Sequence, residues 1–254
     1  MNLEKARILI VGATGGIGSA VASRLKRAGT ELLLHGRHRK SLDEPSYIQG
    51  DLSFSCEIEK IVRAAEAFDI NMLINCAGVN QFSRFESADI DRLLNINVAG
   101  PMKLTQMLLP HLKSKQESVI LNVGSTFGAI GYPGYVAYCA TKHAIKGFTE
   151  ALSRELSDST VSVQYFSPRA TNTSINPRVV NEMNHSLGVG SDEPGEVARE
   201  IVQALVRGRS RSQMGNPESV QVKINSLFPS IVDSAVAKQL PVIREHLVKT
   251  AQEI

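Results

Sequence analysis

Short apolar runs bounded by Gly, Asn and Asp alternate along the chain with longer amphipathic segments, and this rhythm restricts the fold more than any other feature. The runs Ile8 to Val11, Glu31 to Leu34, Met72 to Ile74, Val119 to Val123 and Val161 to Phe166 have the length and apolar character of buried strands. Between them, Ile17 to Ala28, Cys56 to Ala67, Asp89 to Leu112 and Val136 to Leu156 repeat apolar residues at three- and four-residue spacings, which predicts helices. Such alternation predicts an α/β fold with a doubly wound parallel sheet covered by helices on both faces. All 254 residues, 1–254, are read as a single domain, because α/β folds of about 250 residues often share one core.

Composition removes several function classes. With 43% hydrophobic and 21% charged residues, the chain is neither disordered nor collagen-like. A net charge of +3 is too small to imply nucleic-acid binding, and the basic clusters His35 to Lys40 and Arg207 to Arg211 are too short to be basic tails. Cys56, Cys76 and Cys139 form no Cys-x-x-Cys pair, which suits free thiols in a reducing, cytoplasmic setting and gives no metal motif. The N-terminus lacks a signal-peptide core, and no run of 18 apolar residues exists, so neither export nor membrane spanning is expected. Residues 168–194, rich in Asn, Pro, Gly and Ser, follow a strand and read as either a lid over a ligand or a disordered stretch.

Val11-Gly12-Ala13-Thr14-Gly15-Gly16-Ile17-Gly18 joins the first strand to the first helix. In that context glycines let a pyrophosphate approach backbone N–H groups at the positive end of a helix, although a ligand-free turn has the same composition. After the second strand the chain reads His35-Gly36-Arg37-His38-Arg39-Lys40, with no carboxylate where an NAD site usually has one. A guanidinium there suits a 2′-phosphate by charge and paired donors, so NADP(H) is expected over NAD, with Arg37 as the best candidate and Arg39 and Lys40 as helpers. Further on, Tyr138 and Lys142 stand four residues apart, on one face of a helix. A phenol titrates near pH 10, so acting on protons near neutrality calls for a nearby cation.

With these residues in order, the chain resembles the short-chain dehydrogenase/reductase family from about Ile8 to about Thr173. The family's glycine turn fits Gly12, Gly16 and Gly18, its adenine-side Asp fits Asp51, and its Asn-Asn-Ala-Gly fits Asn75-Cys76-Ala77-Gly78. Its catalytic Asn, Ser, Tyr and Lys fit Asn97, Ser125, Tyr138 and Lys142. The resemblance implies a Rossmann-like fold and cofactor contacts from Gly12, Thr14, Gly16, Ile17, Gly18, Arg37, Asp51, Leu52, Asn75, Ala77, Gly78, Tyr138, Lys142, Pro168 and Thr173. It also implies that Tyr138 passes a proton to or from the substrate oxygen while hydride moves at the nicotinamide, and that Ser125 polarises that oxygen. Lys142 then holds the nicotinamide ribose and lowers the Tyr138 pKa, and Asn97 supports a water that links Lys142 to solvent. Cys139 and His143 are read as packing or surface residues, not as nucleophile and base.

The chain also departs from the family pattern. Pro168-Arg169 replaces Pro-Gly, so Arg169 is expected either to meet an anionic part of the substrate or to point to solvent. The stretch between Arg37 and Asp51 is short enough to reduce the second helix to a turn. The family's last strand and Gly-rich tail are expected to be absent, replaced by a helical extension over 217–254. Its stripe Ile224, Leu227, Phe228, Ile231, Val232, Ala235 and Val236 continues past Pro229, with a break or kink expected at Pro241. That stripe reads as a helix packed on the core or a second subunit, or as the wall of an apolar substrate cleft with at most a weak peripheral membrane contact. The expected function is NADPH-dependent reduction of a ketone or aldehyde, with a 3-oxoacyl or lipid-like carbonyl compound leading, in a homo-oligomer. The same residues also allow NADP-dependent alcohol oxidation, a non-catalytic NADP(H) sensor, or an interaction protein working through the C-terminal stripe.

Overall fold

In β1 (Arg7–Val11) the side chains from Ile8 onward alternate between two cores, and this alternation explains why Ile8 to Val11 are all apolar. Ile8 and Ile10 pack with Val21 and Leu25, while Leu9 and Val11 pack with Ile61 and Leu104, and every one of these residues is fully buried. The computed structural model describes residues 3–38 and 46–252. The other strands are β2 (Glu31–Gly36), β3 (Tyr47–Gln49), β4 (Met72–Asn75), β5 (Ser118–Val123), β6 (Val161–Ser167) and β7 (Arg211–Gln213). They form one parallel sheet in the order β3-β2-β1-β4-β5-β6-β7. The sheet is Rossmann-like, and its winding reverses between β1 and β4, where such sheets open a crevice at their C-terminal ends.

Helices α1 (Gly16–Arg27) and α7 (Pro194–Arg207) cover one face through Val21, Leu25, Val197, Ile201 and Leu205. The other face is covered by α2 (Ser55–Ala67), α4 (Gly100–Lys113) and α5 (Val136–Glu155). The expected helix from Asp89 to Leu112 is instead α3 (Ile90–Leu94), a π turn at Asn95–Ala99 and then α4. One extra residue in a turn leaves the apolar spacing nearly intact, so periodicity does not reveal it. Cavity-side packing comes from α6 (Arg178–Ser186), α8 (Asn216–Leu227) and α9 (Pro229–Gln252).

Two corrections follow. The last strand is present as β7, pairing Tyr165, Phe166 and Ser167 with Arg211, Ser212 and Gln213. Arg-Ser-Gln is short and polar because an edge strand needs only backbone pairing on one side, so it carries no apolar signal. At the C-terminus the break falls at Phe228, between α8 and α9, and Pro229 opens α9 while Pro241 lies inside it. Pro is well suited to a first helical position. The short stretch expected to replace the second helix ends in β3, and residues 39–45 lie outside the described residues. Residues 168–194 contain α6 and close on themselves through a Thr171–Asp192 bridge.

Candidate active site

The turn after β1 is shaped by close backbone approach. Gly12 has φ +80°, and a Cβ there would lie 2.6 Å from the backbone of Ala77. Thr173 sits against Gly16, and Thr14 against Gly36 at the end of β2. Helix α1 begins without a side-chain cap, so its first N–H groups face outward at the positive helix end, beside Ile17 and Gly18. Arg37 is exposed and engages no partner among the described residues, whereas Arg39 and Lys40 lie outside them. His35 does not belong with a solvated basic cluster. It is buried at the end of β2 with Nε2 3.0 Å from the Gly50 carbonyl, and burial lowers its pKa to about 4. Asp51 accepts from the Ser53 N–H at 2.9 Å, and Leu52 is buried beside it. An uncapped helix start, a glycine cradle and an exposed guanidinium fit a dinucleotide carrying a 2′-phosphate.

Asn75 sits differently from the other expected contacts. Its Nδ2 donates to Asn122 Oδ1 at 2.8 Å, and Asn122 donates to Thr149 at 3.0 Å. This buried chain ties β4, β5 and α5 together beneath the site and does not line the cavity. Ala77 and Gly78 lie in the loop after β4, and Gly78 approaches both Asn97 Oδ1 and Lys142 Nζ.

Tyr138 and Lys142 project from the first turns of α5, and Ser125 follows β5. The Ser125 hydroxyl accepts from the Phe127 N–H at 3.1 Å and hydrogen-bonds the Tyr138 phenol. Lys142 Nζ lies 5.7 Å from the Tyr138 ring centroid and donates to the Val123 carbonyl at 3.3 Å. Burial raises the Tyr138 pKa, outweighing the Ser125 hydrogen bond that lowers it, and Lys142 is not among its causes. Burial therefore outweighs the lowering expected from Lys142, because desolvation disfavours a buried phenolate. Burial also lowers Lys142 to about 8, where the ammonium form still dominates at neutral pH. Asn97 lies on the π turn, a distortion frequent at functional sites. Its Nδ2 donates to the Val79 carbonyl at 2.9 Å and to Thr141 Oγ1 at 3.1 Å, and its Oδ1 accepts from the Val79 N–H at 2.8 Å. The side chain thus fastens the loop after β4 to α5.

These groups open onto a cavity of about 600 Å³. Ile17, Ser125, Tyr138, Lys142, Pro168 and Thr173 lie on its sheet side. Val180 and Met183 of α6, Ile224 of α8, and Ile231, Val232, Ala235 and Val236 of α9 make its apolar wall. The C-terminal stripe is thus mainly a cleft wall, while Leu227 and Phe228 stay exposed. Arg169 borders the cavity and pairs with Asp192 and Glu218, so it does not simply point to solvent. His143 Nδ1 bonds the Cys139 carbonyl at 2.8 Å, and burial raises Cys139 to about 11, in keeping with packing roles. Cys76 lines the cavity with its thiol pushed up to about 12 by burial.

Two contributors lay outside the sequence reading. The Tyr165 hydroxyl, from β6, lies 3.4 Å from both the N–H and the carbonyl of Ser125 and supports the turn that presents it. Phe127 and Tyr135 pack on Tyr138 with ring centroids 6.3 and 6.1 Å away, and Tyr132 packs in turn on Phe127 and Tyr135. The aromatic-rich stretch 127–138 was the available signal for the second feature, and none marked Tyr165 out from other strand residues.

The family model for short chain dehydrogenase matches residues 6–184, more than half of the chain. A rat relative, dehydrogenase/reductase SDR family member 7B, is 30% identical over 80% of this chain and 70% of its own length. Bovine 3-ketodihydrosphingosine reductase is 25% identical over 85% of this chain and 73% of its own length. Among solved structures, a short-chain dehydrogenase from Sphingobium yanoikuyae in complex with NADPH superposes with a TM-score of 0.72 at 27% identity, covering 82% of this chain and 87% of that one. Sheet order, glycine turn and these likenesses agree: the chain belongs to the short-chain dehydrogenase family and is an NAD(P)-dependent oxidoreductase.

Proposed function

We propose that the protein is an NADPH-dependent reductase of ketones or aldehydes carrying an apolar chain, with 3-oxoacyl and lipid-like carbonyl compounds as the leading substrates. The observation that carries this reading is the cavity itself, in which Ser125, Tyr138 and Lys142 stand at one end and an apolar wall from α6, α8 and α9 faces them. When bound, NADPH supplies the hydride. The first turn of α1 would hold its pyrophosphate, Arg37 its 2′-phosphate, and Lys142 and Thr173 its nicotinamide half.

Tyr138 enters as the proton donor. Burial keeps its phenol protonated at neutral pH, the form that gives a proton to a carbonyl oxygen becoming an alkoxide. Ser125 orients the same oxygen, and its position is fixed by Phe127 and Tyr165. Lys142 places a positive charge beside the phenol and stabilises phenolate as the proton leaves. Asn97 holds the Val79 loop and Thr141, so Tyr138 and Lys142 keep their relative placement. Segment 168–194 acts as a lid, with α6 supplying part of the wall. The bovine relative's name also points to a lipid-like ketone. The test is NADPH oxidation with 3-oxoacyl thioesters of increasing chain length beside simple ketones, with Tyr138→Phe as the blank. Turnover that depends on Tyr138 and rises with chain length supports the reading, and turnover retained in Tyr138→Phe contradicts it.

A further inference from the structure

Arg169 occupies the first position after the Pro168 carbonyl that accepts from Thr126, in the connection leaving β6. Its side chain reaches two other parts of the chain. Nε and Nη2 donate to the two Asp192 carboxylate oxygens at 2.7 and 2.5 Å, the paired geometry that suits a planar guanidinium. Nη1 lies 3.6 Å from Glu218 Oε1 in the first turn of α8. Asp192 is buried, and Glu218 is largely so. The turn into α8 is built around this pairing: Gly215 has φ +86°, and a Cβ there would lie 2.1 Å from Glu218 Oε2 and 3.1 Å from Arg169 Cδ.

Each of these three segments borders a different part of the cavity. The segment after Arg169 is stitched to Asp192 by backbone bonds, Asn172 N–H to the Asp192 carbonyl and Asp192 N–H to the Ala170 carbonyl, both 2.9 Å. That segment ends at Thr173, which rests on Gly16 of the cofactor turn. Asp192 closes the base of the segment that carries α6. Glu218 stands at the start of α8, which has no buried residue of its own and lines the cavity through Gln221 and Ile224. Apart from its packing on α9 and an Asn225 Nδ2 hydrogen bond to the Ala129 carbonyl at 2.9 Å, the Glu218 pairing is what ties α8 to the cofactor side of the cavity.

We infer that Arg169 is a positioning residue that clamps the apolar wall of the cavity to the cofactor-side loop, through Asp192 and Glu218, and so sets selectivity for long-chain substrates. The inference rests on the reading of this cavity as the substrate site. A short ketone needs only Ser125 and Tyr138, whereas a long acyl chain needs α8 in place. Arg169 borders the cavity, but its guanidinium is engaged by Asp192 and Glu218, so it acts through the wall.

The test compares short- and long-chain 3-oxoacyl thioesters in the wild type, Arg169→Met, Arg169→Lys and Glu218→Gln, together with amide hydrogen exchange of each protein without substrate. In Arg169→Met, KM for the long chain should rise about tenfold or more while kcat and the short-chain KM stay within about twofold. Arg169→Lys should recover part of the loss, because an ammonium can meet one carboxylate but not grip both as a fork. Glu218→Gln, a change at the rim that leaves the Asp192 pair intact, should give a smaller shift of the same kind. Exchange in α8 should quicken in Arg169→Met and Glu218→Gln with β1 unchanged. Equal KM changes for both chain lengths, or unchanged exchange in α8, overturns the clamp. If the wild type turns over no carbonyl substrate, the proposed function fails, and the exchange measurement still decides the clamp.

Discussion

The sheet and the C-terminal helices are built on opposite terms. In the sheet Ile8, Leu9, Leu73 and Ile74 are fully buried between two helical layers. In α8 no residue is buried, and the break between α8 and α9 leaves Leu227 71% and Phe228 59% exposed. Ile243 and His246 anchor α9, Ile243 against α6. Stability therefore resides in the first region, together with the glycine turn and the Ser125, Tyr138 and Lys142 group. The second region adds little to the core and instead turns apolar side chains toward the cavity. With the cavity read as the substrate site, as proposed, chemistry and substrate choice are carried by separable parts of one chain.

Substitutions that probe this separation should rank accordingly. The largest effect is expected for Tyr138→Phe, which should cut turnover by about 10²–10⁴-fold with NADPH affinity changed only a few-fold, measured by initial rates and titration. Next, Leu73→Ala should cost about 2–5 kcal/mol of stability in a denaturant melt, because a fully buried side chain between layers leaves a cavity.

A pH effect of similar size arises at His35. Its folded pKa of about 4 lies below the ordinary histidine value of 6.5, so the unfolded chain takes up the proton first as pH falls. The contribution is complete above pH 6.5 and is lost on the way down to about 4, up to about 3 kcal/mol, and His35→Gln should flatten that part of the stability curve. Arg37→Ala should weaken NADPH by about 10–100-fold and leave NADH nearly unchanged, as expected for a charge-assisted contact to the 2′-phosphate. The smallest effect is expected for Leu227→Ser, within about 0.5 kcal/mol by thermal or chemical melt, because that side chain is already in water. A large loss of stability there would erase the contrast between the two regions.

The two regions also differ in how much of them can be read from the sequence. Five strands and the main helices were legible because burial on both sheet faces imposes continuous apolar runs and helical spacing. Tyr47–Gln49 and Arg211–Gln213 were not, since edge strands of three residues are held by backbone pairing alone. Tyr138, Lys142 and Gly12 were legible as spaced motifs, and Ser125 only through the family resemblance. The Asn75 contact with Asn122, the support from Tyr165 and the Arg169 pairing with Asp192 and Glu218 were not, because each joins residues far apart in the chain. The break at Phe228 reversed the expected roles of Pro229 and Pro241, since a Pro can open a helix as readily as interrupt one.

The proposed separation of chemistry from substrate choice is tested most directly by kcat/KM for carbonyl substrates of increasing chain length in the wild type and in Val236→Phe, which adds bulk to the apolar wall and leaves Ser125, Tyr138 and Lys142 unchanged in sequence. The account predicts that short ketones react at nearly the wild-type rate while the gain with chain length disappears. An equal loss at every chain length, or a gain that survives unchanged, would contradict it.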